Sequence, residues 1–203
     1  VISKVTVEQS ELWTKNSSPG LTIPIGRTVS QGIQNFTFGF DSEVYHGLVG
    51  GKTGSGKSVL LHNIIVNGAR LYSPDELQFI LLDYKEGTEF KIYAGLPHTR
   101  VLSIDSEREF GLSVLEFLQE TINERGKAFK EAGVANITDY RSATNKKLPR
   151  FVVVIDEFQV LLSGGDTLAT KSSDALADIV KRGRSFGIHI LLSTQTLFDT
   201  DIS

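Results

Sequence analysis

Residues 51–58 read GKTGSGKS, a glycine-rich stretch between a short apolar run and a predicted helix. The stretch fits the pattern G-x-x-x-x-G-K-[ST], whose glycines let the backbone curl until its N–H groups point at a phosphate. A helix that begins near Lys57 adds the positive end of its dipole. We therefore predict a phosphate-binding loop formed by Gly51, Lys52, Thr53, Gly54, Ser55, Gly56, Lys57 and Ser58.

Two side chains of this loop suit a nucleoside triphosphate. Lys57 can place its ammonium against the β- and γ-phosphates, and the Ser58 hydroxyl can ligate a Mg²⁺ ion that bridges them. ATP and Mg²⁺ are therefore the expected cofactors. The alternative is a chance glycine-rich turn, which leaves unexplained why a strand precedes the loop and a helix follows it.

Further along the chain, continuous apolar runs alternate with stretches of helical periodicity. Such alternation is typical of βαβ units with right-handed crossovers, so the predicted fold is α/β with a mostly parallel central sheet and flanking helices. The predicted strands are 77–83, 101–104, 151–155 and 188–193. The predicted helices are 58–69, 107–131 and 173–184, the last of them capped by Ser172 or Ser173.

The first part of the chain has a different pattern. Short apolar runs at 21–25 and 36–40 are separated by glycines and read as strands. We expect residues 1–43 to form a short β-rich lead-in that docks on the core domain of residues 44–203. Trp13 is the expected anchor of this lead-in against the sheet.

Composition excludes several classes of protein. The 203 residues contain no cysteine, which rules out disulfides, zinc ribbons and thiol nucleophiles, and fits a cytoplasmic location. The formal net charge of -3 argues against general coating of nucleic acid. Apolar runs are far shorter than the roughly 20 residues of a membrane span. Because the sequence also lacks methionine, we expect a piece of a larger protein.

An acidic pair follows the apolar run at 151–155. Ligands of parallel sheets bind at the carboxyl ends of the strands, so Asp156 can face the Mg²⁺ ion and Glu157 can act as general base on water. The alternative is that the pair simply ends a strand in solvent. Gln195 ends the last strand and can bond the γ-phosphate or the lytic water; otherwise it is a polar turn residue.

Three arginines are candidates for a finger that acts on the nucleotide of a neighbouring subunit. Arg184 borders the apolar stripe that contains Val180, whereas Arg182 points away from it. Arg125 lies within the apolar stripe of the long helix. It either stands at a subunit interface or lays the aliphatic part of its side chain along the protein surface. Helix-dipole stabilisation is the alternative role for Arg184. Arg150, near the acidic strand, is expected in a solvated loop.

With these residues in place, the chain resembles the FtsK/SpoIIIE family of bacterial ATPases from about Trp13 to Gln195. Several separate blocks in the right order are more specific than a single phosphate loop. The matching blocks are HGLVGGKTGSGKS (46–58), LLDYKEGTEF (81–90), LPHTRV (96–101), VVVIDEFQVLL (152–162) and GRSFGIHILLSTQ (183–195).

The resemblance implies a RecA-like P-loop core of the additional-strand, catalytic-glutamate type, assembled with copies of itself into a hexameric ring. Such rings hydrolyse ATP to pump double-stranded DNA or, in a secretion branch, to export protein. The resemblance also implies that Gln195 senses the γ-phosphate and that Arg184 acts in trans. A nucleotide-dependent assembly module with little turnover is a further alternative.

Parts of the sequence are similar to the secretion branch. The lead-in LWTKNSSPGLTIPIG (12–26) resembles type VII secretion ATPases of the EccC/EssC kind, although Glu86 replaces the glycine of their D-F-K-G-G pattern. The chain stops eight residues after Gln195, where the family's core usually continues. We therefore expect a truncated core that hydrolyses ATP weakly alone, with any membrane tether outside this chain.

Overall fold

A five-stranded parallel sheet forms the centre of the fold, in a computed structural model that describes residues 12–30, 32–39, 43–85, 89–103 and 107–196. The strands lie in the order β3-β7-β6-β4-β5. They are β3 (Gly47–Gly50), β4 (Leu77–Asp83), β5 (Thr99–Ser103), β6 (Arg150–Asp156) and β7 (Ile188–Thr194), and β1 (Gly20–Arg27) pairs with β2 (Ile33–Gly39) in a separate antiparallel sheet.

This architecture confirms the predicted α/β fold with its mostly parallel sheet, flanking helices and β-rich lead-in. Strand β7 lies between β3, which leads into the glycine-rich loop, and β6, which carries the acidic pair. That insertion is the additional strand expected of this type of core. Phe40, Ile104 and residues 1–11 of the predicted elements lie outside the described residues.

Helices cover both faces of the central sheet. Helix α1 (Lys57–Leu71) packs on one face together with β1 and β2, whereas α2 (Arg108–Glu131) and α5 (Thr167–Phe186) pack on the other. Alternate residues of a strand point to opposite faces, so Val152 and Val154 contact the first group while Val153 and Ile155 contact the second. None of the helices in the described ranges is both long and apolar enough to cross a bilayer.

Two helix predictions need correction. Helix α5 begins at Thr167, several residues before the predicted start, because Asp166 caps it by accepting a hydrogen bond from the Ala169 N–H at 2.8 Å. Ser172, a predicted cap, is instead buried inside this helix. The short helices α3 (Ile137–Thr144) and α4 (Gln159–Leu162) were not predicted.

The lead-in is attached to the end of α1. The indole N–H of Trp13 donates to the carbonyl oxygen of Ala69 at 3.0 Å, and the indole lies edge-on to His98. Trp13 therefore anchors the lead-in to a helix end, and the expectation that it packs against the sheet was wrong. Farther on, Leu21 and Ile23 of β1 enter the apolar cluster under α1.

Two buried arginines fasten the lead-in at the amino-terminal end of the sheet. Arg150 donates to the carbonyl oxygens of Ser17 at 2.5 Å and Ser18 at 2.8 Å, and Arg141 donates to the Ser17 hydroxyl at 2.7 Å and to the Glu76 carboxylate. The expectation that Arg150 lies in a solvated loop was wrong, because Arg150 is only 2% exposed. A buried charge is tolerated when its donors are satisfied in this way.

We predict that Glu76→Ala lowers the free energy of unfolding by about 3 kcal/mol, because it leaves the buried Arg141 guanidinium without its carboxylate. Urea denaturation measures the change. The matched control is Asp75→Ala, which breaks the ion pair between Asp75 and Lys147. The side chains of these two residues are 60% and 68% exposed, respectively. Exposed pairs contribute about 0–1 kcal/mol, so equal losses for the two variants would contradict the prediction.

Candidate nucleotide-binding site

The register of the sheet brings the predicted site residues to one edge. Asp83 at the end of β4 pairs with Asp156 at the end of β6, and Asp156 pairs with Ser193 near the end of β7. On the other side of β7, Thr194 pairs with Gly50, from which the glycine-rich loop starts. Loop, acidic pair and glutamine therefore meet because parallel strands end together.

The glycine-rich loop connects β3 to α1 with a backbone that few other residues could adopt. Gly54 and Gly56 have φ angles of 80° and 92°, in the left-handed region that favours glycine. Gly56 occupies the N-cap position of α1, and no side chain caps the helix there. The first N–H groups of α1 are thus left for an external acceptor, as an anion-binding loop requires.

Lys57 and the acidic pair form the centre of the site. The Lys57 ammonium lies 2.6 Å from Asp156 Oδ1 and 2.5 Å from Glu157 Oε1, and its side chain is only 6% exposed. Burial acts to lower the pKa of Lys57, but the two carboxylates outweigh burial and raise this pKa above its usual value. Residues that are about 100 positions apart in the chain are therefore joined by charge.

Glu157 has an unusual backbone conformation and a carboxylate that accepts several hydrogen bonds. Its φ angle is 53°, a left-handed value that is uncommon for a residue other than glycine. Its second carboxylate oxygen accepts from Gln159 Nε2 at 2.7 Å and from the backbone N–H of Gln195 at 3.1 Å. Burial acts to raise the pKa of Glu157, but the bonds from Gln159, Lys57 and Gln195 hold it below its usual value.

The predicted sensor Gln195 and its neighbour Ser193 also contact this site. The Ser193 hydroxyl donates to Asp156 Oδ1 at 2.7 Å. The side-chain oxygen of Gln195 accepts from the Thr53 hydroxyl at 2.8 Å, which places the predicted sensor against the loop. The sequence analysis did not predict the contacts of Gln159, Thr53 and Ser193. Two of these residues, Gln159 and Ser193, lie within two positions of predicted site residues, and this proximity is the signal that could have identified them.

Ser58, the predicted Mg²⁺ ligand, donates to Glu89 Oε1 at 2.9 Å. No three His, Cys, Asp or Glu side chains among the described residues form a metal cluster. A Mg²⁺ ion commonly takes one or two protein oxygens and completes its shell with phosphate oxygens and water. The oxygens of Ser58 and Asp156, next to a phosphate-binding loop, fit such an ion. Glu89 was missed, because its contact with Ser58 joins residues 31 positions apart and cannot be read from periodicity.

Nearly the whole chain is similar to a known protein family. The FtsK/SpoIIIE family model matches residues 5–198. The chain belongs to the FtsK/SpoIIIE family. The matched range includes the phosphate loop, the acidic pair and Gln195.

Relatives of the FtsK/SpoIIIE chain fall into two groups. It is 28% identical over 204 residues to the ESX secretion system protein YukB of Bacillus subtilis, covering 96% of this chain and 13% of that protein. It is 30% identical over 204 residues to the DNA translocase FtsK of Streptococcus pyogenes serotype M1, covering 94% and 24%. This chain thus spans at most about a quarter of these curated relatives.

A solved structure has the same fold. The cytoplasmic domain of the type VII secretion ATPase EccC of Thermomonospora curvata superposes with a TM-score of 0.77 at 26% identity, over 95% of this chain and 23% of that one. The P-loop ATPase domain of the FtsK/SpoIIIE family is therefore shared by DNA translocases and secretion ATPases.

The three candidate arginines of this FtsK/SpoIIIE domain lie in different surroundings. Arg184 is exposed at the end of α5, with its guanidinium 4.3 Å from the centre of the Tyr45 ring. Arg182 donates to Asp178 on its own helix at 3.1 Å. Arg125 is buried and donates to the carbonyl oxygens of Phe186 and Pro149, so it is a structural residue and was wrongly placed at the surface. Val180 was predicted to lie on the buried apolar stripe of its helix, but its side chain is exposed.

We predict that Lys57→Met lowers the free energy of unfolding by about 3 kcal/mol at pH 7, because two buried carboxylates lose their cation. The folded-state pKa of Glu157 is lowered from 4.5, so its stabilising contribution is present above that pH and lost as the pH falls through the folded-state value. The difference between wild type and variant should therefore shrink towards pH 4.

Urea denaturation at pH 7 and pH 4 measures this difference. The matched control is Lys52→Met, which removes an exposed ammonium from the same loop and should change stability by about 0.5 kcal/mol or less. A loss for Lys57→Met that is the same at both pH values would contradict the prediction.

Proposed function

We propose that this chain binds ATP with Mg²⁺ at residues 51–58 and hydrolyses it, as the ATPase core of a ring-shaped motor. The observation that carries the proposal is the meeting of Lys57 with Asp156 and Glu157 at 2.6 Å and 2.5 Å beside the glycine-rich loop. A cation suited to phosphate, a carboxylate suited to Mg²⁺ and a carboxylate suited to water stand together, as hydrolysis of a triphosphate requires.

The resting contacts suggest the order of events. Phosphate oxygens compete with the carboxylates for the Lys57 ammonium and for the N–H groups at the start of α1. When Lys57 turns to the phosphates, Glu157 loses one of its donors and can accept a proton from water. That water attacks the γ-phosphorus, and the bond to the bridging β–γ oxygen breaks. Bound Mg²⁺, held by Ser58 and Asp156, would offset the charge that develops on the phosphate oxygens.

Gln195 is suited to report the state of the nucleotide. Its side chain contacts Thr53 in the loop, and its backbone N–H contacts Glu157. Either contact changes when a γ-phosphate enters or leaves, so β7 can transmit the change. Arg184 is our candidate for the residue that acts in trans, because it is exposed at the end of α5. This role requires self-assembly, for which we propose a hexameric ring.

Double-stranded DNA is the first candidate cargo, supported by the DNA translocase relative that aligns over 94% of the chain. A secreted protein is the second candidate, supported by YukB and by the solved EccC domain, which aligns over 95%. Either motor would work at the cytoplasmic side of a membrane, with a tether supplied by segments outside this chain.

We predict that Glu157→Gln lowers the steady-state rate of phosphate release by a factor of about 10²–10⁴, because the amide cannot accept the proton of the attacking water. Binding of a fluorescent ATP analogue should stay within about threefold of wild type, since Lys57 and the loop are unchanged. Glu131→Gln, at the far end of α2, is the control and should keep the full rate. Turnover that is equally slow in wild type and Glu157→Gln would favour an assembly module instead.

For a DNA motor we predict that double-stranded DNA stimulates ATP hydrolysis and that the stimulation falls steeply with salt. Contacts to phosphates release counterions, so the logarithm of DNA affinity falls linearly with the logarithm of salt concentration. Phosphate release measured with and without DNA, from 50 mM to 200 mM salt, tests this. A rate that ignores DNA at every salt concentration would exclude the DNA motor and favour protein cargo.

A further inference from the structure

Glu89 makes the contact that sets the direction of the Ser58 hydroxyl. Ser58 lies in the first turn of α1, and Glu89 lies beyond the end of β4, 31 residues later. The Ser58 hydroxyl donates to Glu89 Oε1 at 2.9 Å. The Glu89 carboxylate therefore contacts the hydroxyl of the phosphate loop that is expected to ligate a metal.

Glu89 has further neighbours around its carboxylate and its backbone. Its other oxygen, Oε2, lies 3.5 Å from Nε2 of His62, which stands one turn after Ser58 on α1. On the far side of that ring, His62 Nδ1 lies 2.6 Å from the Tyr93 hydroxyl. The backbone N–H of Glu89 donates to Asp83 Oδ2 at 3.1 Å. The Asp83 contact fixes the backbone of Glu89, and the Ser58 hydroxyl is the hydrogen-bond donor to its carboxylate.

The direction of the bond matters for metal binding. A serine hydroxyl has one proton and two lone pairs. Because Ser58 gives its proton to Glu89, both lone pairs remain for a cation, and the negative carboxylate makes the oxygen a better ligand. A partner that orients a metal ligand in this way commonly changes metal affinity by 10- to 100-fold when it is removed.

We propose that Glu89 is a positioning residue for Mg²⁺: it holds the Ser58 hydroxyl with its lone pairs directed at the metal and so couples Mg²⁺ to nucleotide binding. The inference rests on the proposed function, since it assumes that the loop takes Mg²⁺ together with ATP. Glu89 itself lies outside the phosphate loop, the acidic pair and the sensor glutamine.

The experiment measures how much Mg²⁺ strengthens nucleotide binding. The dissociation constant of a fluorescent, slowly hydrolysed ATP analogue is determined with saturating Mg²⁺ and again with EDTA, and the ratio of the two constants is the readout. Glu89→Ala should lower this ratio at least about tenfold, with the EDTA value within about twofold of wild type. Glu89→Gln keeps the shape and an acceptor for Ser58, so its ratio should lie between the two.

Two further variants separate this role from a structural one. In a Ser58→Ala background, adding Glu89→Ala should change the ratio no further, because Glu89 acts through the hydroxyl. Glu131→Ala removes an exposed carboxylate at the end of α2 and should keep the wild-type ratio. Thermal unfolding of each variant confirms that the compared proteins are folded.

The possible outcomes separate the role of Glu89 from the binding of nucleotide. If wild type binds the analogue with a Mg²⁺-dependent affinity but Glu89→Ala keeps the wild-type ratio, the role of Glu89 is overturned and the proposed function stands. The same conclusion follows if Glu89→Ala weakens binding equally with Mg²⁺ and with EDTA. If wild type binds no nucleotide under either condition, the proposed function is overturned and the inference falls with it.

Discussion

The register of five parallel strands is the constraint on which the site depends. Asp83, Asp156 and Ser193 stand in one row across β4, β6 and β7, and Gly50 pairs with Thr194 one position further along the strands. Since side chains alternate along a strand, a slip of one residue in β6 would turn Asp156 to the other face. The buried valines of β6 fix this register, so the hydrophobic core on both faces determines where the charges meet.

Charge balance at this edge explains why Lys57 is so firmly held. Carboxylates of Asp83, Glu89, Asp156 and Glu157 surround the start of α1, and Lys57 is bound between two of them. Burial raises the pKa of Asp83, and the neighbouring charges of Asp156 and Glu89 add to the increase despite two backbone N–H donors. Lys57 is shared by two carboxylates at this edge, an arrangement that favours the entry of a second cation with the nucleotide.

Local features of the sequence were sufficient for most of the fold, because they do not depend on distant contacts. The strand at 77–83 was predicted with its observed bounds, since a continuous apolar run can be buried on both faces. The start of α5 was missed because only Leu168 among the residues just after Asp166 is a large apolar residue, so no apolar period is visible there. The roles of Glu89 and Arg150 could not be predicted, because their partners lie 31 and 133 residues away and meet them only in the folded chain.

Helix α1 joins the phosphate loop to the lead-in as one stiff rod. Its 15 residues span about 22 Å at 1.5 Å per residue. At the loop end lie Lys57 and Ser58, and at the other end Ala69 and Leu71 accept hydrogen bonds from Trp13 and Lys15. Asn63 and Asn67 in the middle of α1 also donate to carbonyl oxygens of β1, so a shift of this helix at the phosphate loop would move the surface on which the lead-in rests.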